Sequence, residues 1–205
     1  MRVHIDKTFD KRLLSRYDLS LKIGNDLAIA NVSKTKSNIH IALAEIPFEK
    51  REIETVFDTA NFIQALKACP FKISKQYEKV FISISNTLFS VVPKALFDIK
   101  SKHLYVKLNS NTKESYDFKF QILEKEGIVI CFALPKKLNL WIQKVFPSAK
   151  ITHELHVVIQ SVLRDFYSLS EDRVIINLNK EYFDIIFLTK GKLKFVNSFI
   201  FSEKE

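Results

Sequence analysis

Glycine is nearly absent: there are three in 205 residues. Gly24, Gly127 and Gly191 each fall between apolar-alternating segments, where hairpin turns are expected and the positive φ of a tight turn favours glycine. None is left for a phosphate-binding loop, because Walker and dinucleotide motifs need several glycines at fixed spacing so that backbone amides can approach phosphates. Cysteine is equally scarce. Cys69 precedes Pro70 and Cys131 lies inside an apolar run, a spacing that fits neither a disulfide framework nor a zinc site, so both read as structural thiols of a reducing compartment. The longest apolar run, Ile128 to Leu134, is far short of the roughly 20 residues of a membrane-crossing helix. The amino-terminal residues lack the apolar stretch of a secretory signal. The expectation is a cytoplasmic protein with no membrane partner.

Nucleophilic and redox chemistry lack their usual marks. There is no Gly-x-Ser-x-Gly elbow and no Cys-x-x-Cys pair, and the carboxylates are scattered among lysines. His153 and His156 stand three apart at the start of an expected helix. The zinc-protease pattern needs a spacing of four with a glutamate second in the motif, so these two read as part of a polar helix face with Gln160 and Arg164, capped by Thr152. No metal site is expected.

Acidic residues are outnumbered, 23 Asp and Glu against 32 Lys and Arg, giving a formal charge of +9. A nucleic-acid partner is one reading of that excess, but phosphate binding needs clustered cations and here they are spread from Lys7 to Lys204. A solvated basic surface is the better account.

What is present is a 47% hydrophobic composition with 18 phenylalanines, ample for a globular core. Leu19–Ser33 reads as a β-hairpin about Gly24, and residues 39–46 as a third strand of a meander. Spacing of Val56, Ala60, Ile63 and Leu66 predicts a helix over 55–68, stopped by Pro70. Strands follow over 79–85 and 88–92, then a helical turn after Pro93. Three strands are expected over 103–108, 116–123 and 128–134, the last apolar enough to be central in a sheet. A helix opens after Pro135 with Leu138, Ile142, Val145 and a core Trp141. A strand over 149–152 leads to a strongly amphipathic helix with Leu155, Val158, Ile159, Val162, Leu163 and Phe166 on one face. Strands over 174–178, 183–189 and 193–201 form a closing meander. Its last strand is apolar on both faces, a pairing edge unless something covers it.

Leu19-Ser20-Leu21-Lys22-Ile23-Gly24, the stretch Phe89 to Phe97, Ile151-Thr152-His153-Glu154 and the run Gly191 to Phe199 resemble an uncharacterised Bacteroidetes family, domain of unknown function 3822. The element order also resembles the actin-like ATPase fold, which is related to ribonuclease H. The resemblance implies a mixed α/β chain with a first lobe over residues 1–168 and a second lobe opening at 169–205, truncated after its third strand. It also implies an interlobe cleft in which Lys22, Gly24, Asn177 and Asn179, with Lys180, stand where such ATPases bind Mg²⁺ and ATP. The sequence departs from the ATPase pattern at both hairpins: a lysine stands where an aspartate is wanted, and Asn177-Leu178-Asn179-Lys180 has neither acid nor glycine. Magnesium-bound triphosphate needs both.

The resulting expectation is a non-catalytic, degenerate actin-like module acting through an unidentified protein partner. An ATP-binding or ATP-hydrolysing enzyme and a basic nucleic-acid binder are the alternatives.

Overall fold

The computed structural model describes residues 1–37, 39–48, 57–107, 115–168 and 170–201. They form two compact units interleaved along the chain: residues 1–86, 112–117 and 134–152, and residues 87–111, 118–133 and 153–205.

The first unit is built on a six-stranded sheet. Its strands are β1 (Arg2–Ile5), β2 (Tyr17–Ile23), β3 (Leu27–Lys34), β4 (His40–Pro47), β5 (Lys79–Ile84) and β9 (Lys150–His153), in the order β1-β4-β3-β2-β5-β9. The β2–β3–β4 meander expected from the sequence is present, with Leu21 opposite Ala30 and Ala30 opposite Ala44. β5 joins β2 in parallel, Leu21 beside Ile82, so the chain crosses over between β4 and β5. The helix α1 (Thr59–Lys67) lies in that crossover.

Period-two patterning makes one face of the meander fully apolar. Leu19, Leu21, Ile23, Ala28, Ala30, Val32, Ala42, Ala44 and Ile46 are all 0–2% exposed. α1 is expected over 55–68 and is found over 59–67, residues 55 and 56 lying outside the described part of the chain. Asp58 caps it by accepting hydrogen bonds from the Ala60 and Asn61 amides, which supplies two of the orphan donors of a helix start. α1 packs along β4, and its Phe62 meets Phe48 and the Trp141 ring of α3 (Lys136–Val145). Trp141 is half-buried, held edge-on to Phe62 at 5.3 Å and to Phe146 at 5.7 Å. Strand β1 has no signal in the sequence, and all four of its residues are exposed where it adds to β4 at the sheet edge.

The second unit holds two three-stranded sheets. In one, β6 (Phe89–Pro93) and β7 (Tyr116–Leu123) flank β8 (Ile128–Pro135), giving β8 the central place its composition predicts. Most of β8 is 0% exposed, Cys131 included. Burial pushes the Cys131 thiol up to about 11, since the thiolate is the form that loses solvation. Native protein at pH 8 is therefore expected to alkylate Cys131 with iodoacetamide only as fast as the chain opens. Peptide mapping of the label checks this, and labelling of Cys131 at the rate of a free thiol would contradict the burial.

The strand expected over 103–108 is instead the helix α2 (Lys102–Lys107), with residue 108 outside the described part of the chain. Asp98 decides the outcome. Its carboxylate accepts from the Lys100 amide and the Ser101 hydroxyl, winding residues 99–101 into a 3-10 turn that runs into the helix. Within this helix Val106 is fully buried while Leu104 is 51% exposed.

The helix α4 (Glu154–Phe166) presents the expected apolar face, with Leu155, Ile159, Val162 and Leu163 buried. Its cap is His153, not Thr152: the His153 Nδ1 accepts from the Leu155 amide at 3.3 Å, while the Thr152 hydroxyl bonds the Ile82 carbonyl. The other sheet of this unit, β10 (Arg173–Leu178), β11 (Tyr182–Thr189) and β12 (Lys192–Ile200), is the closing meander read from the sequence.

Candidate functional site

Of the four cleft candidates, Lys22 and Gly24 lie together at the end of β2, and Asn177 and Asn179 lie together at the end of β10. Each pair belongs to a different compact unit. Lys22 is half-buried, opposite Ile29 on β3 and beside Ser83 on β5. Gly24 is not in the left-handed region, unlike Gly127 (φ +65°) and Gly191 (φ +69°), so positive φ is not why it is glycine. Close approach is the reason. A Cβ there would stand 3.1 Å from the Leu27 carbonyl oxygen, which accepts the Gly24 amide at 2.9 Å.

At the second hairpin, Asn179 turns the chain by donating its amide to the Tyr182 carbonyl at 2.9 Å. The Asn177 Nδ2 donates to the Asp184 carboxylate at 2.8 Å, and the Ser198 hydroxyl donates to the other carboxylate oxygen. Asp184 is 2% exposed. A carboxylate held this way by neighbours on both flanking strands is a structural anchor, because each hydrogen bond offsets part of its desolvation. Sequence reasoning missed Asp184, although the signal was present: it alternates with Ile186 and Leu188 on the inward positions of β11.

His153 is not on a polar face. It is 1% exposed, between the rings of Phe89 at 5.1 Å and Phe132 at 5.5 Å. The cap function fixes its orientation. Among the described residues no group of three His, Cys, Asp or Glu side chains could hold a metal ion.

The most unusual surface lies on the β10–β11–β12 sheet. Residues directly opposite in an antiparallel pair share a face, as do residues two apart along a strand. The register puts Val174, Phe187 and Phe195 in one row, Ile176, Ile185 and Asn197 in the next, and Leu178, Phe183 and Phe199 in the third. Eight of these nine side chains are apolar and none is charged. Exposure reaches 62% at Val174, 60% at Ile176, 72% at Leu178, 45% at Phe195 and 38% at Phe199. Phe183 stacks on Phe199 at 5.6 Å. On the opposite face the central-strand residues Asp184, Ile186 and Leu188 are at 2% exposure or less. Solvated antiparallel sheets normally turn polar residues outward; here Asn177, Asp184 and Ser198 point inward and the phenylalanines outward.

Residues 6–205 match the family of proteins of unknown function DUF3822. The chain belongs to the DUF3822 family. Its structure is similar to that of a Bacteroides thetaiotaomicron protein of unknown function with an actin-like ATPase fold, at TM-score 0.82 and 20% identity over 96% of this chain and 74% of that one. The fold of this DUF3822 chain is thus the actin-like ATPase fold. The PilM–PilN type IV pilus biogenesis complex gives a TM-score of 0.49 at 13% identity, over 89% of this chain and 61% of that one. The Aquifex aeolicus member of the Ppx/GppA family gives 0.43 at 9%, over 90% and 51%. No curated protein matches the chain. Among the described residues no helix is long and apolar enough to cross a membrane.

Proposed function

We propose that this DUF3822 chain is a non-catalytic actin-like module that works by holding another polypeptide surface, with residues 169–205 forming part of its second lobe. The observation that carries the reading is the apolar face of the β10–β11–β12 sheet, whose three rows hold eight apolar side chains and one amide, with Lys192 at its end. A contiguous exposed patch of that composition marks an interaction surface, since isolated soluble proteins keep such patches small. Chemistry at the two hairpins supports the same reading. By the resemblance, Lys22 stands where the ATPase pattern wants an acid, and the Asp184 carboxylate is engaged by Asn177 and Ser198.

Calorimetric titration with millimolar ATP, with and without Mg²⁺, is expected to give no saturable heat. One-site binding accompanied by turnover, both lost in Lys22→Ala, would replace this reading with that of an enzyme. Titration with duplex DNA tests the basic-surface alternative in the same way: the expectation is no tight complex, and affinity falling steeply with salt would favour nucleic acid.

A further inference from the structure

We propose that the cavity at the entrance to β5 and β9 is a binding site for a small phosphate ester carried on a single planar ring. The cavity has a volume of about 370 Å³ and is walled by two segments, residues 75–81 and 146–150, both within the first compact unit. It lies away from the cleft candidates: Lys79 stands beside Asp18 at the start of β2, whereas Lys22 stands beside Ser83 near the other end of that strand. It shares no residue with the apolar β10–β11–β12 face, so the contact-module reading stands or falls separately.

Two chemistries meet in this cavity. The first is cationic: Lys75, Lys79 and Lys150 line it, with Glu78 as the one carboxylate. Among the described residues none of the three ammonium groups makes a hydrogen bond or an ion pair. The carboxylate of Asp18, beside Lys79 in the register, accepts the Thr35 hydroxyl instead. Three cations against one anion leave an excess of two positive charges, and a concave wall of one sign focuses their field and concentrates counter-ions. The second chemistry is aromatic. Phe81 lies two residues after Lys79 on the same side of β5 and is 39% exposed, while Phe146 and Tyr77 are 2% and 5% exposed. The Tyr77 hydroxyl is committed to the Lys72 carbonyl at 2.9 Å, so it brings no free donor to the cavity. A phosphate monoester carries about −1.5 to −2 charges at neutral pH, which matches the excess, and lysine binds phosphate as a point charge without bidentate geometry. A ring joined to that phosphate has the exposed Phe81 surface to pack against. The volume is at the small end of ligand pockets, about 300–1,000 Å³, which suits one phosphate on one ring better than a nucleoside triphosphate.

The test is calorimetric titration of the whole chain, at low ionic strength, with phenyl phosphate and separately with inorganic phosphate. Wild-type protein is expected to bind phenyl phosphate one to one and about tenfold more tightly than inorganic phosphate. Lys79→Gln combined with Lys150→Gln, at two exposed positions, should keep the thermal melt and weaken both probes about tenfold or more. Lys125→Gln removes a charge at an exposed position in the β7–β8 turn, outside the cavity, and should bind both probes as wild type does. Phe81→Ala should bring phenyl phosphate to the affinity of inorganic phosphate and leave the latter unchanged. Failure of the wild type to bind phenyl phosphate overturns the proposal, as does undiminished binding by the double lysine variant. Weakening by Lys125→Gln as great as that by the double variant overturns it too, by making the attraction a property of net charge. Equal affinity of the wild type for the two probes overturns the ring as part of the ligand.

Discussion

Phe62→Ala is expected to destabilise the first unit by about 3–5 kcal/mol, the usual range for deleting a fully buried phenylalanine. Phe62 is 0% exposed and lies among Phe48 at 5.5 Å, Phe57 at 5.6 Å and Trp141 at 5.3 Å. Truncation removes both the transfer free energy of the ring and three edge or tilted ring contacts, and large rigid neighbours fill the resulting cavity poorly. α1 has nine residues, too short to persist in water without the packing of its apolar side. Loss of Phe62 therefore loosens the helix as well as the core. Phe62→Leu keeps most of the volume and should cost less than half as much. Urea unfolding followed by the fluorescence of Trp141, the single tryptophan, reads this unit directly. A cost below about 1 kcal/mol for the alanine variant would mean that the aromatic cluster is not what holds α1 to its sheet.

Most of the fold was legible because most of its segments carry one unambiguous period. The β2–β3–β4 meander, α3, α4 and the closing meander all follow from alternation or from i, i+3, i+4 spacing. Residues 103–107 were not legible for a physical reason. Leu104 and Val106 alternate like strand residues, and the helix is set by the Asp98 turn upstream, a local hydrogen-bonding effect invisible to periodicity. β1 was missed because an exposed edge strand has no buried face to pattern.

The candidate site was less legible than the fold. Inward polar residues such as Asp184 and His153 could be placed only after the strands and helix around them were fixed. The apolar sheet face was half visible: β12 was read as apolar on both faces, but the row structure depends on register, which pairs Val174 with Phe187 and Phe187 with Phe195. Resemblance supplied the fold and the candidate cleft residues. It did not supply the sheet face, which is a property of this chain's own side chains.

Two glycine variants should separate backbone strain from contact. Gly127 and Gly191 both have φ in the left-handed region, +65° and +69°, where an alanine costs about 1–2 kcal/mol. A Cβ on Gly127 meets nothing within 4 Å, so Gly127→Ala should lose only that amount. A Cβ on Gly191 would stand 2.6 Å from the Tyr167 carbonyl oxygen and 3.2 Å from that of Phe166. Both are backbone atoms at the end of α4, unable to swing aside as a flexible side chain would. The turn must therefore back away from the helix, adding about 1–3 kcal/mol of overpacking to the strain. Chemical unfolding of both variants measures the difference, and equal losses would mean that the β11–β12 turn does not bear on α4. Because this turn joins the two strands that carry most of the apolar face, displacing it should also disturb the row of Phe187 and Phe195.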